Sequence, residues 1–219
     1  FRAHPSIGAA AFTLALKEHD KPWNQVITDL RNGARLFVFG SVFGGTGAAG
    51  FPSIGKILHR VLTNTDDFNV VNVKNWKIGG ALILPYFTFP VPNQEEQEKN
   101  GMQGKSEDFM VNTKAALAFY DKEKLIGYDH SPYDSVYFIG SNGNDSANYE
   151  NYCIGSGEQK NKSLYVELYA AIAAFDFFNK KDDDLKPINM VAKNQEYGLT
   201  WEDLPLLGKT ENSDADDYM

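Results

Sequence analysis

Cysteine is nearly absent: Cys153 stands alone in 219 residues. An internal disulfide and any cysteine-rich zinc site are thereby excluded, and the usage suits a reducing cytoplasm. The histidines, His4, His19, His59 and His130, fall at no metal-ligand spacing, and no His-Glu-x-x-His occurs. Long apolar runs are missing too. None approaches the ~18 residues that a membrane-crossing helix needs, and the nearest, Ile78 to Phe89, contains Pro85. Neither a signal peptide nor a membrane segment is visible, so a soluble, cytoplasmic protein is expected. Positive charge is scarce, with 21 Lys and Arg against 29 Asp and Glu and a net charge of −8. Such a chain has no long-range field to draw in a nucleic-acid backbone, so none is expected as a partner. A single nucleotide stays open, because main-chain amides hold phosphates without net positive charge.

What is present is globular in proportion, 42% hydrophobic and 23% charged, which excludes disorder throughout. Periodicity predicts a helix from Pro5 to His19, with Ile7, Ala10, Ala11, Leu14 and Ala15 at helical spacing. A second helix is expected from Trp23 to Arg31, with Asn32-Gly33 ending it. Arg35 to Phe43 is a near-continuous apolar run, as in a parallel strand covered on both faces. Gly44-Gly-Thr-Gly-Ala-Ala-Gly50 follows, and Phe51-Pro52 is expected to open the next helix, through Val61. Further strands are predicted over Gly79–Phe89 and Ser135–Gly140, with exposed loops over Asn93–Glu107 and Ser141–Lys162. A helix from Asp108 to Lys122 would turn Phe109, Val111, Ala115, Ala116 and Phe119 inward. The longest helix, Ser163 to Asn179, is apolar nearly all round and is expected to be central; Asp182 to Asp184 would end it. Strands alternating with helices predict an α/β, three-layer fold: a mainly parallel sheet with helices on both faces.

Strand, glycine-rich turn, helix is an arrangement that holds phosphates. Glycines admit positive φ and close approach, while free amides at the helix start supply partial positive charge. Gly44, Gly45, Thr46 and Gly47 occupy that position, although a ligand-free tight turn would use the same residues. No Gly-Lys-Ser/Thr ending follows, which sets aside the Walker P-loop. Thr46-Gly-Ala-Ala-Gly50 resembles the turn of the short-chain dehydrogenases. Asp66 or Asp67 lies about 20 residues on, where a ribose contact would fall, and Tyr120 and Lys124 spell Tyr-x-x-x-Lys. At least two helices precede this turn, however, whereas the dehydrogenase motif normally ends the first strand of its domain.

A second resemblance runs along nearly the whole chain. Ala3-His-Pro-Ser-Ile-Gly8 is similar to the phosphate-proximal Gly-Asn-Pro-Glu-Ile-Gly of FtsZ. Phe43-Gly-Gly-Thr-Gly-Ala-Ala49 and Pro52 resemble the tubulin signature and the proline after it. Ala81 to Phe89, Asp134 to Gly140, the helix Ser163–Asn179 and Leu199-Thr-Trp-Glu-Asp-Leu204 resemble later FtsZ elements in the same order. Phe43 and Ala49 replace outer glycines of the signature, Ser6 replaces a Glu, and Thr200 stands where FtsZ has its first Asp. The chain thus resembles the tubulin/FtsZ superfamily. The resemblance implies one nucleotide-binding domain over residues 1–219 within a longer protein, whose first strand-loop and second domain would lie outside it.

It further implies a GTP-binding, GTP-hydrolysing protein that assembles head to tail into filaments, with Mg²⁺ accompanying GTP or GDP. Gly44, Gly45, Thr46 and Gly47 would bind phosphate, and Ala3, His4 and Pro5 would cover its far side. Asp203, with Glu202 beside it, would orient the attacking water in the neighbouring subunit; a helix start would also favour these acids. Asn142, Tyr169 and Asp176 are the candidates to meet the base, and they suit equally a turn, a core and a solvated helix face. Two rival readings stay open: an NAD(P)-dependent oxidoreductase, and a domain of this fold that binds without hydrolysis.

Overall fold

A computed structural model describes residues 5–15, 21–63, 75–89, 105–140, 147–148 and 164–192. Their helices are α1 (Pro5–Ala15), α2 (Trp23–Arg31), α3 (Gly45–Thr63), α4 (Phe109–Lys122) and α5 (Tyr165–Asn179). Their strands are β1 (Arg35–Ser41), β2 (Lys77–Ile83), β3 (Phe87–Thr88), β4 (Ser135–Gly140), β5 (Ala147–Asn148) and β6 (Ile188–Ala192). β1, β2, β4 and β6 form one sheet in that order, every neighbouring pair parallel. β3 and β5 make a separate two-residue parallel pair. The α/β class and the parallel sheet therefore stand as expected.

The sheet is covered on both faces, and two adjacent glycines in β2 show how closely. A Cβ on Gly79 would lie 2.7 Å from the Phe177 ring of α5, and one on Gly80 would lie 2.5 Å from the Phe51 ring of α3. Successive strand residues point to opposite faces, so α3 and α5 lie on opposite sides of β2. The α3 side holds the larger core, including Leu30, Leu58, Leu62, Ile78 and Val136. Phe51 and Tyr133 stack there, with ring centroids 4.1 Å apart and planes 9° apart. The α5 side buries Ala81, Tyr137, Ile139, Val166, Ala173 and Phe177.

Several elements depart from the sequence expectation. α3 begins at Gly45, not at Phe51, so Pro52 lies inside the helix. β2 stops at Ile83, and only Phe87–Thr88 of the remaining expected strand pairs again. β6 is a fourth sheet strand that the periodicity did not disclose. α1 meets α3 through the Phe12 ring against Gly50; Gly8 is buried, and Ile7 and Leu14 are exposed. α4 buries Phe109, Thr113 and Tyr120, so Val111 and Phe119 face outward, at 67% and 46% exposure. That face follows the four-then-seven spacing from Phe109, whereas the expected set mixed two faces. α5 packs by one face; Leu168, Phe175 and Phe178 on its other side are exposed among the described residues.

At the strands' N-terminal edge, charges tie the layers. Arg35, the first residue of β1, donates to the Phe177 carbonyl and pairs with Asp182 at 2.6 Å. Lys77 lies 3.9 Å from Asp134 and 3.8 Å from Asp182. The Asp134 carboxylate also accepts from the Ile78 amide at 2.8 Å. These contacts fix which end of α5 sits at which edge of the sheet.

Candidate functional site

β1 carries the chain to the C-terminal edge of the sheet, where Val42, Phe43 and Gly44 turn it directly into α3. Val42 still donates to the Ile83 carbonyl at 3.0 Å, so the turn starts on the sheet ladder itself. Gly45, Thr46 and Gly47 form the first turn of the helix, and helical geometry leaves their N–H groups without acceptors inside it. The first helical bond here runs from the Ala48 amide to the Gly44 carbonyl, at 3.3 Å. Thr46 is exposed. The turn contains no residue with positive φ, contrary to the expectation for its glycines; among the described residues Gly33, Lys124 and Gly127 hold that conformation.

Close approach is what Gly47 provides. A Cβ there would lie 2.3 Å from the Ser41 carbonyl oxygen and 2.5 Å from its nitrogen, so the helix start rests directly on the end of β1. The turn has a second brace. Pro52 has no N–H to give the Ala48 carbonyl four residues earlier, and the Tyr120 hydroxyl of α4 donates to that oxygen instead, at 2.8 Å. Burial raises the Tyr120 hydroxyl well above its ordinary pKa, which keeps it a donor.

Phe43, at the position of an outer signature glycine, packs its ring among other aromatic rings. Its centroid lies 4.7 Å from Phe109, 5.7 Å from Phe87 and 6.0 Å from Tyr86, an aromatic cluster at this edge of the sheet. Neither this cluster nor the Tyr120 brace was found from sequence. The available signal was Pro52 within a helical run, which demands an outside donor for Ala48.

The structure brings Pro5 to the glycine turn: Pro5 of α1 and Gly44 line the same cavity. Ala3, His4, Asn142, Glu202 and Asp203 lie outside the described residues. Tyr169 is 7% exposed within the core on the α5 side of the sheet. Asp176 is not brought to the turn. Its carboxylate accepts from the Tyr137 hydroxyl at 2.6 Å and pairs with Lys180, close to the Phe177 carbonyl that Arg35 binds at the opposite sheet edge. Burial, and then the hydrogen bond to Asp176, raise the Tyr137 hydroxyl pKa. Tyr120 and Lys124 do not act as a pair: the hydroxyl serves Ala48, and the Lys124 ammonium lies 5.9 Å from the Tyr128 ring. Among the described residues no group of three or more His, Cys, Asp or Glu could hold a metal ion. None of their helices is long and apolar enough to cross a membrane.

Comparison with known proteins adds the following. The curated proteins give no match. Among solved structures, a GTPγS-form protofilament of TubZ from Bacillus thuringiensis serovar israelensis is similar at 12% identity and a TM-score of 0.33. The similarity covers 63% of this chain and 32% of that one, so the chain spans about a third of that protein. A family model described as "Tubulin like" matches residues 6–194. That match takes in the glycine turn and every strand of both sheets, and the chain belongs to the tubulin-like family.

Proposed function

We propose that this chain is the nucleotide-binding domain of a GTP-binding protein that assembles head to tail in the cytoplasm and hydrolyses GTP within its filaments. The observation that carries the reading is the start of α3. Its free amides, Gly45 to Gly47, project from the C-terminal end of a parallel strand, with α1 beginning alongside at Pro5. Such a helix start offers a polyphosphate donors and partial positive charge, and no side chain bulkier than that of Thr46 stands on its first three residues. The residues fit the group.

In this reading the Gly45, Thr46 and Gly47 amides stabilise charge on the terminal phosphates, and Ala3 and His4 close the site beyond Pro5. Mg²⁺ enters with the nucleotide, on its phosphate oxygens. Asp203, with Glu202, comes from the neighbouring molecule and orients the attacking water. Asn142 and Tyr169 remain the base-side residues; Asp176, engaged with Tyr137 and Lys180, is left out.

The test is GTPγS binding by calorimetry, with NADP as the competitor, on the protein with its natural flanking sequence. Saturable GTPγS binding that NADP does not displace, and that Thr46→Pro at the helix start removes together with the amide, supports the reading, and protection by NADP in its place overturns it. Sedimentation with GTP followed by phosphate release then separates a GTPase from a domain that binds without hydrolysis.

A further inference from the structure

Behind the glycine turn lies a cavity of about 350 Å³, walled by α1, the end of β1, α3 and α4. No charged residue lines it. Phe43, Tyr120 and the half-exposed Phe119 line it with aromatic side chains, and Ala9, Ala48 and Ala115 supply small walls that leave the space open. Two lining residues, the exposed Ser6 and the half-buried Asn112, carry polar side chains that bond to no other described residue. The remaining hydroxyl, Tyr120, is committed to Ala48.

We propose that this cavity binds a small, neutral, flat aromatic molecule of one or two rings that carries a single hydrogen-bonding group. The size sits at the lower end of ligand pockets, which run from about 300 Å³. Apolar walls hold water poorly, so an apolar guest displaces little that is well bound. Aromatic walls favour an aromatic guest, and the half-buried Asn112 amide offers one polar contact to orient it. The ammonium nearest these walls, that of Lys56 at 5.4 Å from the Phe119 ring, is already paired with Glu123 at 2.6 Å, so a carboxylate or phosphate would lose its hydration for no free cation and is refused. The site is therefore chemically distinct from the amides at the start of α3, although both touch Gly44. Its guest would bridge Pro5 and Ala9 of α1 to Gly44 and Ala48 of the turn, fixing their spacing. The inference does not depend on the nucleotide reading.

1-Naphthol and 1-naphthoate are titrated into the nucleotide-free chain, followed by the methyl resonances of Ala9, Ala48 and Ala115. Saturable 1-naphthol binding is expected, with 1-naphthoate at least about tenfold weaker. Ala115→Trp, on the exposed side of the cavity, fills the space and abolishes binding, and Ala9→Phe does so from the facing wall. Ala118→Trp, on α4 but outside the cavity, leaves binding unchanged. Absence of saturable 1-naphthol binding overturns the proposal. So does equal binding of 1-naphthoate, or binding that survives both filling variants with their helical circular dichroism intact.

Discussion

The Tyr120 hydroxyl and the Ala48 carbonyl, 72 positions apart in sequence, meet at 2.8 Å and close a gap that Pro52 opens in α3. The bond fastens α4 to the helix turn that follows the glycines. It also explains how a proline is accommodated deep within this helix.

Tyr120→Phe removes the donor and leaves a buried carbonyl unsatisfied. A loss of about 1–3 kcal/mol in unfolding free energy is expected. With Pro52→Ala in the background, the returned N–H serves Ala48, and the same substitution then costs less than about 1 kcal/mol. A urea double-mutant cycle measures the difference, and equal penalties in both backgrounds would refute the compensation.

Gly47→Ala would drive a methyl into the backbone of Ser41, 2.3 Å from its carbonyl oxygen. Destabilisation of about 1–3 kcal/mol is expected, together with loss of GTPγS binding as the first turn of α3 shifts. Gly44→Ala is the comparison. Its added carbon would meet the Ser41 Oγ at 3.3 Å, so calorimetry and thermal melts should show a milder effect.

Asp203→Ala separates assembly from chemistry. Filaments should still sediment with GTP, while phosphate release falls by about a hundredfold or more. Unchanged release per sedimented subunit removes Asp203 from the mechanism.

Burial raises the pKa values of Tyr120, Tyr133 and Tyr137, and the Asp176 hydrogen bond adds to the rise at Tyr137. In the unfolded chain each ionises near 10.0, while in the folded chain each holds its proton to higher pH. The stability linked to them is therefore complete below pH 10 and is lost as the pH rises beyond it. Urea midpoints taken from about pH 9 to about pH 11 should fall steeply, and Tyr137→Phe should make that fall shallower.

The alternation of helix and strand was legible because it is local. The apolar run of β1, the helical spacing of α2 and the strand Ser135–Gly140 need only their own residues to be read. The glycine turn was legible for the same reason, since strand, turn and helix are consecutive. The start of α3 was not. Pro52 resembles a first-turn residue until Tyr120 is known to serve Ala48. β6 escaped because the apolar Ile188 and Met190 take the outward positions, at 48% and 70% exposure, while the polar Asn189 is half-buried; pairing with β4 defines it. The inward face of α4 was misjudged because both Phe119 and Tyr120 are aromatic, and packing against the turn selects Tyr120.

The glycine pair at the middle of β2 has a mechanical consequence. Phe177 and Phe51 press on opposite sides of a bare ribbon of main chain, with no side chain between them to yield. Soft cores cushion a shift in one layer by re-rotating side chains; here the partition is one backbone thick. A sideways step of α5 would have to be followed by α3 or be paid for as a steric clash, which makes the long helix and the glycine-bearing helix move as coupled plates.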